Sequence, residues 1–235
     1  MLAAGCGGST RHAQSPPTTA TTTETTTLRA YFLVHGQVWP VGREVPETHA
    51  VAAAALRQLA SGPTAEERGL GLTSAVPHDL TFDDLRVEDG VATVSPSGPL
   101  SKAALAQAVY TLTQFATVRA VEIDRRRLTR ADFEAETPPI LVESPLAFSA
   151  VSSPLRARGT ANTFGATFEY DVVDGAGKVV SHHFVTATSG SGTRGTFEFS
   201  APFSASGDGK LVVYEISAED GSRIHQVEIP LRLSS

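Results

Sequence analysis

The sequence is poor in the residues that form disulfides and cysteine-rich metal sites. Its 235 residues include one cysteine, Cys6, together with one methionine and one tryptophan. A single cysteine excludes a disulfide within the chain and a zinc site built from several cysteines. No run of 18 or more apolar residues is present, so the sequence predicts no membrane-spanning helix.

Positive charge is scarce as well. The chain has 19 lysine and arginine residues against 25 aspartate and glutamate residues, which gives a net charge of −6 and an isoelectric point near 5.6. Proteins that bind nucleic acid generally present a basic face to the phosphate groups. The composition therefore predicts no nucleic-acid partner.

Motifs for catalysis and cofactor binding are missing or out of context. The chain has neither the His-Glu-x-x-His motif of zinc peptidases nor the Gly-x-Ser-x-Gly elbow of hydrolases. The segment from Gly190 to Gly195 has dinucleotide-loop spacing, but a strand pattern follows it instead of a helix, so we interpret it as a hairpin loop. His182 and His183 would point to opposite faces of a strand and cannot chelate one ion as a pair. We predict no catalytic residue, no cofactor and no metal site.

The segment LAAGC, from Leu2 to Cys6, places small residues directly before the cysteine. It resembles a bacterial lipobox, whose cysteine receives diacylglycerol. Two features depart from the pattern. Ala3 stands where leucine is usual, and the basic and apolar leader of a signal peptide is missing. Two alternatives follow: translation starts upstream of Met1 and Cys6 is lipidated, or Cys6 is an incidental residue.

The segment from Gln14 to Thr27 is rich in threonine, with proline and almost no apolar residues. Such a composition buries too little apolar surface to offset the entropy lost on ordering, which predicts disorder. Roughly twenty flexible residues would hold the folded part about 25 Å from the membrane. We interpret residues 1–27 as a truncated lipoprotein leader and a disordered threonine-rich tether. We favour lipidation of Cys6, which anchors the protein to the cell membrane on its extracytoplasmic side.

Residues 28–135, the first domain, show patterns in the order β, β, α, β, β, α, β. This order predicts an α+β domain with a small sheet and two helices. Thr48 and Gly62 are expected to bound the first helix, and Ser101 to cap the second. The second helix carries an apolar stripe and a separate polar row, which consists of Gln107, Tyr110, Thr111 and Gln114. This row is either an ordinary solvent face or an interaction surface for a protein or glycan.

Three segments of this domain read, in chain order, LRQLASGPTAEERGLGLTSAVP, VEDGVATVS and LAQAVYTLTQFATVRAVEI. In sequence, order and spacing they resemble the GerM-type domain of bacterial sporulation and germination proteins. One departure is DRRRL, from Asp124 to Leu128, where the family usually carries a glycine-containing turn. The arginines of this stretch form either a solvated loop or a contact patch; they are Arg125, Arg126, Arg127 and Arg130.

Residues 138–235, the second domain, follow a proline-rich boundary and change to alternation of apolar and polar residues. About seven short strands separated by turn residues predict an antiparallel β-sandwich of immunoglobulin type. Pro230 in the last strand indicates an edge or a bulge. The segments that begin ILVESPLAF and LVVYEISAEDGS resemble the immunoglobulin-like domain of spore-germination proteins, which often accompanies a GerM-type domain.

The two resemblances together imply a role in envelope assembly, sporulation or germination. We predict a non-catalytic, envelope-associated lipoprotein that acts as a protein- or cell-wall-interaction module, with envelope proteins or peptidoglycan as partners. The alternative is a cell-wall glycan-binding module or a hydrolase accessory domain. Trp39 distinguishes them: a tryptophan packed on the first helix belongs to the core, whereas one exposed beside Tyr31 or Tyr110 favours a glycan site.

Overall fold

The computed structural model describes Met1 and residues 24–235. It confirms the predicted fold class, since a mixed α and β domain precedes an all-β sandwich. Within these residues, no helix has both the length and the apolar character needed to cross a membrane. The first strand begins at Thr25 and pairs Thr25 with Pro46. The expected disorder is therefore wrong for Thr25, Thr26 and Thr27.

The first domain packs its longest helix between two sheets. Its helices are α1 (Val51–Ala60), α2 (Ala65–Gly69) and α3 (Lys102–Leu112), and its strands are β1 (Thr25–Val34), β2 (Gln37–Pro46), β3 (Phe82–Glu88), β4 (Val91–Pro96), β5 (Ala120–Ile123) and β6 (Arg126–Leu128). The hairpin of β1 and β2 forms one sheet, and the other sheet has the strand order β3-β4-β5-β6. The prediction of a single small sheet is therefore wrong. Every residue of α3 from Ala104 to Leu112 is buried.

Local sequence signals explain where the helices of the first domain begin and end. The Ser101 hydroxyl accepts a hydrogen bond from the backbone N–H of Ala104, so Ser101 caps α3 as predicted. Gly62, with φ of 74°, follows α1 as predicted, but α1 begins at Val51 and the Thr48 hydroxyl only accepts from Ala50. Helix α2 was not predicted; Thr64 and Glu67 form a capping box at its start.

A two-residue turn at Asp124 and Arg125 joins β5 to β6. Both residues have positive φ, 52° and 63°, and Ile123 pairs with Arg126 across the turn. Turns of this geometry favour asparagine and glycine, which tolerate positive φ. The turn therefore exists as the family resemblance implies, but with an arginine where glycine is usual.

The second domain is a sandwich of two sheets. Its strands are β7 (Ile140–Ser144), β8 (Ala150–Ser152), β9 (Leu155–Ala161), β10 (Thr167–Asp174), β11 (Val179–Thr186), β12 (Gly195–Ala201), β13 (Gly207–Ile216) and β14 (Arg223–Ser234). One sheet has the order β11-β10-β13-β14-β8 and the other β12-β9-β7. Residues such as Phe168, Phe197 and Val213 fill the space between them. The loop from Gly190 to Gly195 connects β11 to β12 in different sheets, so it is not a hairpin loop.

Pro230 lies in β14 at a place where that strand has an open side. Its carbonyl oxygen accepts a hydrogen bond from the backbone N–H of Phe148 at 2.6 Å. In an extended strand the nitrogen and the carbonyl of one residue face the same edge, so the missing N–H of Pro230 points away from β13. Pairing with β8 begins only at Arg232. The strand therefore loses no ladder hydrogen bond to the proline.

Candidate functional site: the junction of the two domains

The predicted interaction surface on α3 is not a surface. Gln107 and Thr111 are completely buried, Tyr110 is 1% exposed, and Gln114 is half-buried. The spacing correctly placed these side chains on one side of the helix, but that side faces β1 and the domain junction instead of solvent. An ordinary solvent face and an interaction surface both require exposed side chains, so both interpretations of the polar row are wrong.

The polar row of α3 supplies hydrogen bonds to the free edge of β1. Gln114 accepts from the Arg29 N–H at 2.8 Å and donates to the Arg29 carbonyl at 2.6 Å. Thr111 accepts from the Tyr31 N–H at 3.1 Å, and Gln107 donates to the Tyr31 carbonyl at 2.9 Å. These are the backbone groups that a third strand would otherwise bind.

The same edge continues beyond the helix. The backbone of Leu33 exchanges two hydrogen bonds with Thr73, at 2.8 and 2.9 Å. Gln107 also accepts from the backbone N–H of Ala75 at 2.7 Å, which ties this loop to α3. Buried backbone groups without partners are costly, so these side chains are needed for stability. We call the side-chain contacts of Gln107, Thr111 and Gln114 with β1 the α3 ladder.

A half-buried ion pair joins the first domain to the second. The Arg130 guanidinium donates to the Glu143 carboxylate at 2.9 Å, and the Tyr31 hydroxyl donates to the same carboxylate oxygen. Arg130 also lies over the ring of Tyr110, 4.6 Å from its centre. Arg29 donates to the backbone carbonyl of Glu143 at 3.1 Å. We call these residues the junction cluster.

The electrostatics of the junction cluster keep each group in its ordinary charge state at neutral pH. Burial alone would raise the pKa of Glu143, but the charge and hydrogen bonds of Arg130 and Tyr31 hold it below its usual range. Burial, together with the Glu143 carboxylate, raises the pKa of Tyr31. Burial raises the pKa of Tyr110 as well. The cluster is therefore an anionic carboxylate held by a cation and a neutral phenol, which suits a structural role.

A second ion pair spans the same junction. Arg194 in the second domain forms two hydrogen bonds with Glu134 at 2.9 Å each, and also donates to the Pro138 carbonyl at 2.9 Å. Asn162 donates to Glu134 at 2.8 Å. Paired bonds from one guanidinium to one carboxylate fix its orientation. The two domains thus meet through two separate charged contacts.

Sequence reasoning missed the residues of the junction. It grouped Arg130 with Arg125, Arg126 and Arg127, which are exposed, whereas Arg130 is half-buried against Tyr31 and Tyr110. One local signal was available: Thr129 and Asp132 form a capping box that starts a short helical turn, Arg130–Glu136. Glu143, at the end of the apolar run Ile140–Val142, carried no such signal.

A groove of about 870 Å³ opens beside the junction, between the two domains. Its first-domain wall includes Trp39, Leu70 and Leu72, and its second-domain wall includes Leu146 and Phe148. Trp39 is half-buried and packs against the cores of both domains. Leu70 and Phe148 are 59% and 58% exposed, which is unusual for large apolar side chains.

Within the described part of the chain, the lining of this groove contains three carboxylates and one histidine, His35, but neither lysine nor arginine. The carboxylates are those of Glu44, Glu67 and Glu228. Glu67 accepts two hydrogen bonds from Arg43, and Glu228 accepts one from Lys210 at 2.7 Å. Burial alone would raise the pKa of Glu67, but the bonds from Arg43 and Thr64 lower it, so this carboxylate is ionised at neutral pH.

The remaining predicted residues have separate outcomes. Cys6 lies outside the described residues, so its lipidation stays a prediction. His182 and His183 are both exposed, and among the described residues no cluster of three or more metal-ligating side chains occurs. His182 lies 2.8 Å from Asp171, a buried carboxylate that also pairs with Arg223 at 2.9 Å. Trp39 is neither packed in the first core alone nor exposed as a glycan platform, because it packs against the cores of both domains.

Two family models match the chain in the predicted order. Residues 29–125 match a family described as sporulation and spore germination. Residues 139–222 match a family described as the immunoglobulin-like domain of bacterial spore germination. These matches confirm both resemblances that the sequence motifs indicated.

Solved structures give a weaker comparison. The chain is similar to the tandem GerMN domains of the sporulation protein GerM from Bacillus subtilis, with 23% identity over 46% of this chain and 41% of that chain, and a TM-score of 0.38. It is also similar to the first GerMN domain of that protein, with 20% identity over 44% of this chain and 86% of that one, and a TM-score of 0.30. The chain spans less than half the length of the tandem-domain structure. No curated protein matches it.

Proposed function

Because this chain joins a sporulation and spore germination domain to an immunoglobulin-like domain of bacterial spore germination, we propose that it is a non-catalytic interaction module of the cell envelope. Its partners are envelope proteins or peptidoglycan. The groove between the domains is the recognition site. Lipidation of Cys6 holds the module on the extracytoplasmic side of the cell membrane, with the threonine-rich segment as a spacer.

The observation that carries this proposal is the exposure of Leu70 and Phe148 on opposite walls of one groove. Large apolar side chains that stay exposed around one groove often mark an interaction site. Each wall belongs to a different domain, so the site is complete only when the domains are joined. The contacts of Arg130 with Glu143 and of Arg194 with Glu134 supply that joint.

The non-catalytic part of the proposal is supported by the charge states at the junction. An acid or base that works near neutral pH needs a pKa moved towards 7. The pKa of Glu143 moves down, and those of Tyr31 and Tyr110 move up, so all three move away from 7. The cluster has the properties of a structural contact.

In-cell crosslinking tests the proposed recognition site. A photo-crosslinking amino acid placed at Leu70 should capture a specific envelope component. The same amino acid at Val87, which is 42% exposed on a strand that does not line the groove, is the matched control. Equal capture from both positions, or none from Leu70, overturns the groove as the recognition site.

Cell fractionation tests the anchor separately. The unaltered protein should partition with the membrane, and Cys6→Ser should release it into the medium or the soluble envelope fraction. A Cys6→Ser protein that stays with the membrane overturns lipidation. Cys6→Ser leaves the groove unchanged, so the crosslink from Leu70 on purified envelopes distinguishes loss of the anchor from loss of recognition.

A glycan-binding module is the second candidate, and the aromatic rings of Trp39 and Phe148 favour it. Sugars stack on exposed aromatic faces. Trp39 is the only tryptophan, so its fluorescence reports binding directly. A saturable change in Trp39 fluorescence on addition of peptidoglycan fragments would favour this candidate over a protein partner. The change should be abolished in Phe148→Ser.

A further inference from the structure

The interdomain groove has a charge pattern that selects among partners. Its lining contains the carboxylates of Glu44, Glu67 and Glu228 and neither lysine nor arginine. Glu67 is fully engaged by Arg43. Within residues 24–235, the exposed Glu44 carboxylate forms no hydrogen bond or ion pair. The open part of the groove is therefore anionic.

Glu228 is available to an incoming cation as well. Its partner Lys210 is 40% exposed, and Glu228 itself is 45% exposed. An ion pair between exposed side chains contributes little to stability, because water screens it and ordering two long side chains costs entropy. A lysine or arginine from a partner can therefore replace or join Lys210 at Glu228.

The position of Phe148 is the second observation. Its backbone has φ of 64°, a left-handed conformation that is uncommon outside glycine, asparagine and aspartate. The hydrogen bond from its N–H to the Pro230 carbonyl holds it there, and the Arg232 N–H donates to the adjacent Ser149 carbonyl at 3.0 Å. Strained backbone that the surroundings fix in place is concentrated at binding sites. Here it holds an apolar ring out in solvent.

We propose that the groove binds a polypeptide segment that packs an apolar side chain against Trp39 and Phe148 and places a lysine or arginine beside Glu44 and Glu228. This inference rests on the proposed function and names its partner. A volume of about 870 Å³ admits several side chains. An anionic wall polymer fits less well, because the carboxylates of the lining repel it.

Titration with short synthetic peptides tests the partner chemistry. The probe is acetyl-Lys-Phe-Leu-Lys-amide, followed by Trp39 fluorescence and by calorimetry. The controls are acetyl-Glu-Phe-Leu-Glu-amide, which reverses the charge, and acetyl-Lys-Ser-Ser-Lys-amide, which removes the apolar side chains. We expect saturable binding of the first peptide alone, weakened by added salt.

Two pairs of variants locate the binding. Glu44→Lys should weaken the first peptide about tenfold, whereas Glu219→Lys, which makes the same change in an exposed loop, should leave it unchanged. Phe148→Ser should abolish binding, whereas Phe164→Ser, at a residue 74% exposed outside the groove, should not. Equilibrium denaturation of each variant checks that the fold is intact.

The outcomes separate this inference from the proposed function. Equal binding of the acidic and basic peptides, or equal effects of Glu44→Lys and Glu219→Lys, overturns the inference. Binding of peptidoglycan fragments without binding of the basic peptide also overturns it, and leaves the groove as a recognition site. Absence of a specific crosslink from Leu70 in cells overturns both.

Discussion

The Arg130 guanidinium donates a hydrogen bond to the Glu143 carboxylate at 2.9 Å, across the boundary between the two domains. Each partner is three-quarters or more shielded from solvent. A charge in such a place is tolerated only with its counter-charge and further hydrogen bonds, which Tyr31 supplies. Together with the contact of Arg194 with Glu134, this pair helps to hold the two walls of the groove in position.

Glu143→Gln is expected to weaken this contact. Loss of the carboxylate leaves Arg130 without its counter-charge, and the free energy of unfolding should fall by about 2–3 kcal/mol. Urea denaturation at pH 7 measures the change. Glu228→Gln, in an exposed pair, is the control and should change stability by less than about 1 kcal/mol. Equal losses from the two variants would contradict a stabilising role for the junction cluster.

The same carboxylate should make the protein sensitive to acid. The folded-state pKa of Glu143 is lowered, so the unfolded chain takes up the proton first as pH falls below about 4.3. The stabilisation is thus present above that pH and is lost as pH falls through the lower, folded-state pKa. Stability measured at pH 7 and pH 3 should fall further for the natural protein than for Glu143→Gln. Equal losses of stability in the two proteins would show that Glu143 has the same pKa in the folded and unfolded chain.

Gln107→Leu should destabilise the first domain by about 2–3 kcal/mol, because it leaves the buried Tyr31 carbonyl and the half-buried Ala75 N–H without their partner. Leucine has a similar volume, so packing changes little. Gln114→Leu is the matched comparison. Gln114 is half-buried, and water can replace its hydrogen bonds. Gln114→Leu should therefore lower the free energy of unfolding less than Gln107→Leu does. If thermal denaturation gave equal losses of stability for the two variants, burial would not determine how much each hydrogen bond of the α3 ladder contributes.

Arg125→Gly should stabilise the protein by about 0.5–1 kcal/mol. Arg125 has φ of 63° in the two-residue turn, a conformation that costs an L-residue energy and glycine almost none. The added freedom of glycine in the unfolded chain offsets part of the gain. Arg126→Gly, one residue later in β6, should destabilise instead. A loss of stability in Arg125→Gly, measured by urea denaturation, would contradict the turn geometry.

Gly159→Ala should destabilise the second domain by about 2–3 kcal/mol. A Cβ atom at Gly159 would lie 2.0 Å from the Leu141 carbonyl oxygen and 2.8 Å from the Phe197 ring, closer than atoms can approach. Gly98→Ala is the control, since a Cβ there meets nothing within 4 Å. Thermal denaturation of both variants, with the same change in composition, isolates the steric effect. A Gly159→Ala protein as stable as Gly98→Ala would be inconsistent with this packing.

The sequence predicted the elements that local signals determine. Ser101 caps α3 and Gly62 follows α1, because capping and positive φ depend on one or two residues. Alternation of apolar and polar residues was enough for the sandwich. The additional strand β6 and helix α2 were missed because each is so short that periodicity does not show it.

The site was less predictable, because distant segments form it. Periodicity grouped Gln107, Thr111 and Gln114 correctly, but their neighbour is the unpaired edge of β1, which a pattern within the helix does not reveal. Arg130 and Glu143 gain their roles only from each other. The groove draws Trp39 from one domain and Phe148 from the other, so no single stretch of sequence contains it.

The α3 ladder also bears on how the protein behaves when many copies crowd together. A free strand edge is a template on which other chains add strands and aggregate. Along Arg29 and Tyr31 that template is closed, because amide and hydroxyl groups of a helix already occupy its hydrogen-bonding positions. An added strand would itself present a new free edge for further pairing, whereas the side chains of a helix present none. The first domain is thereby protected against edge-to-edge polymerisation at its first strand.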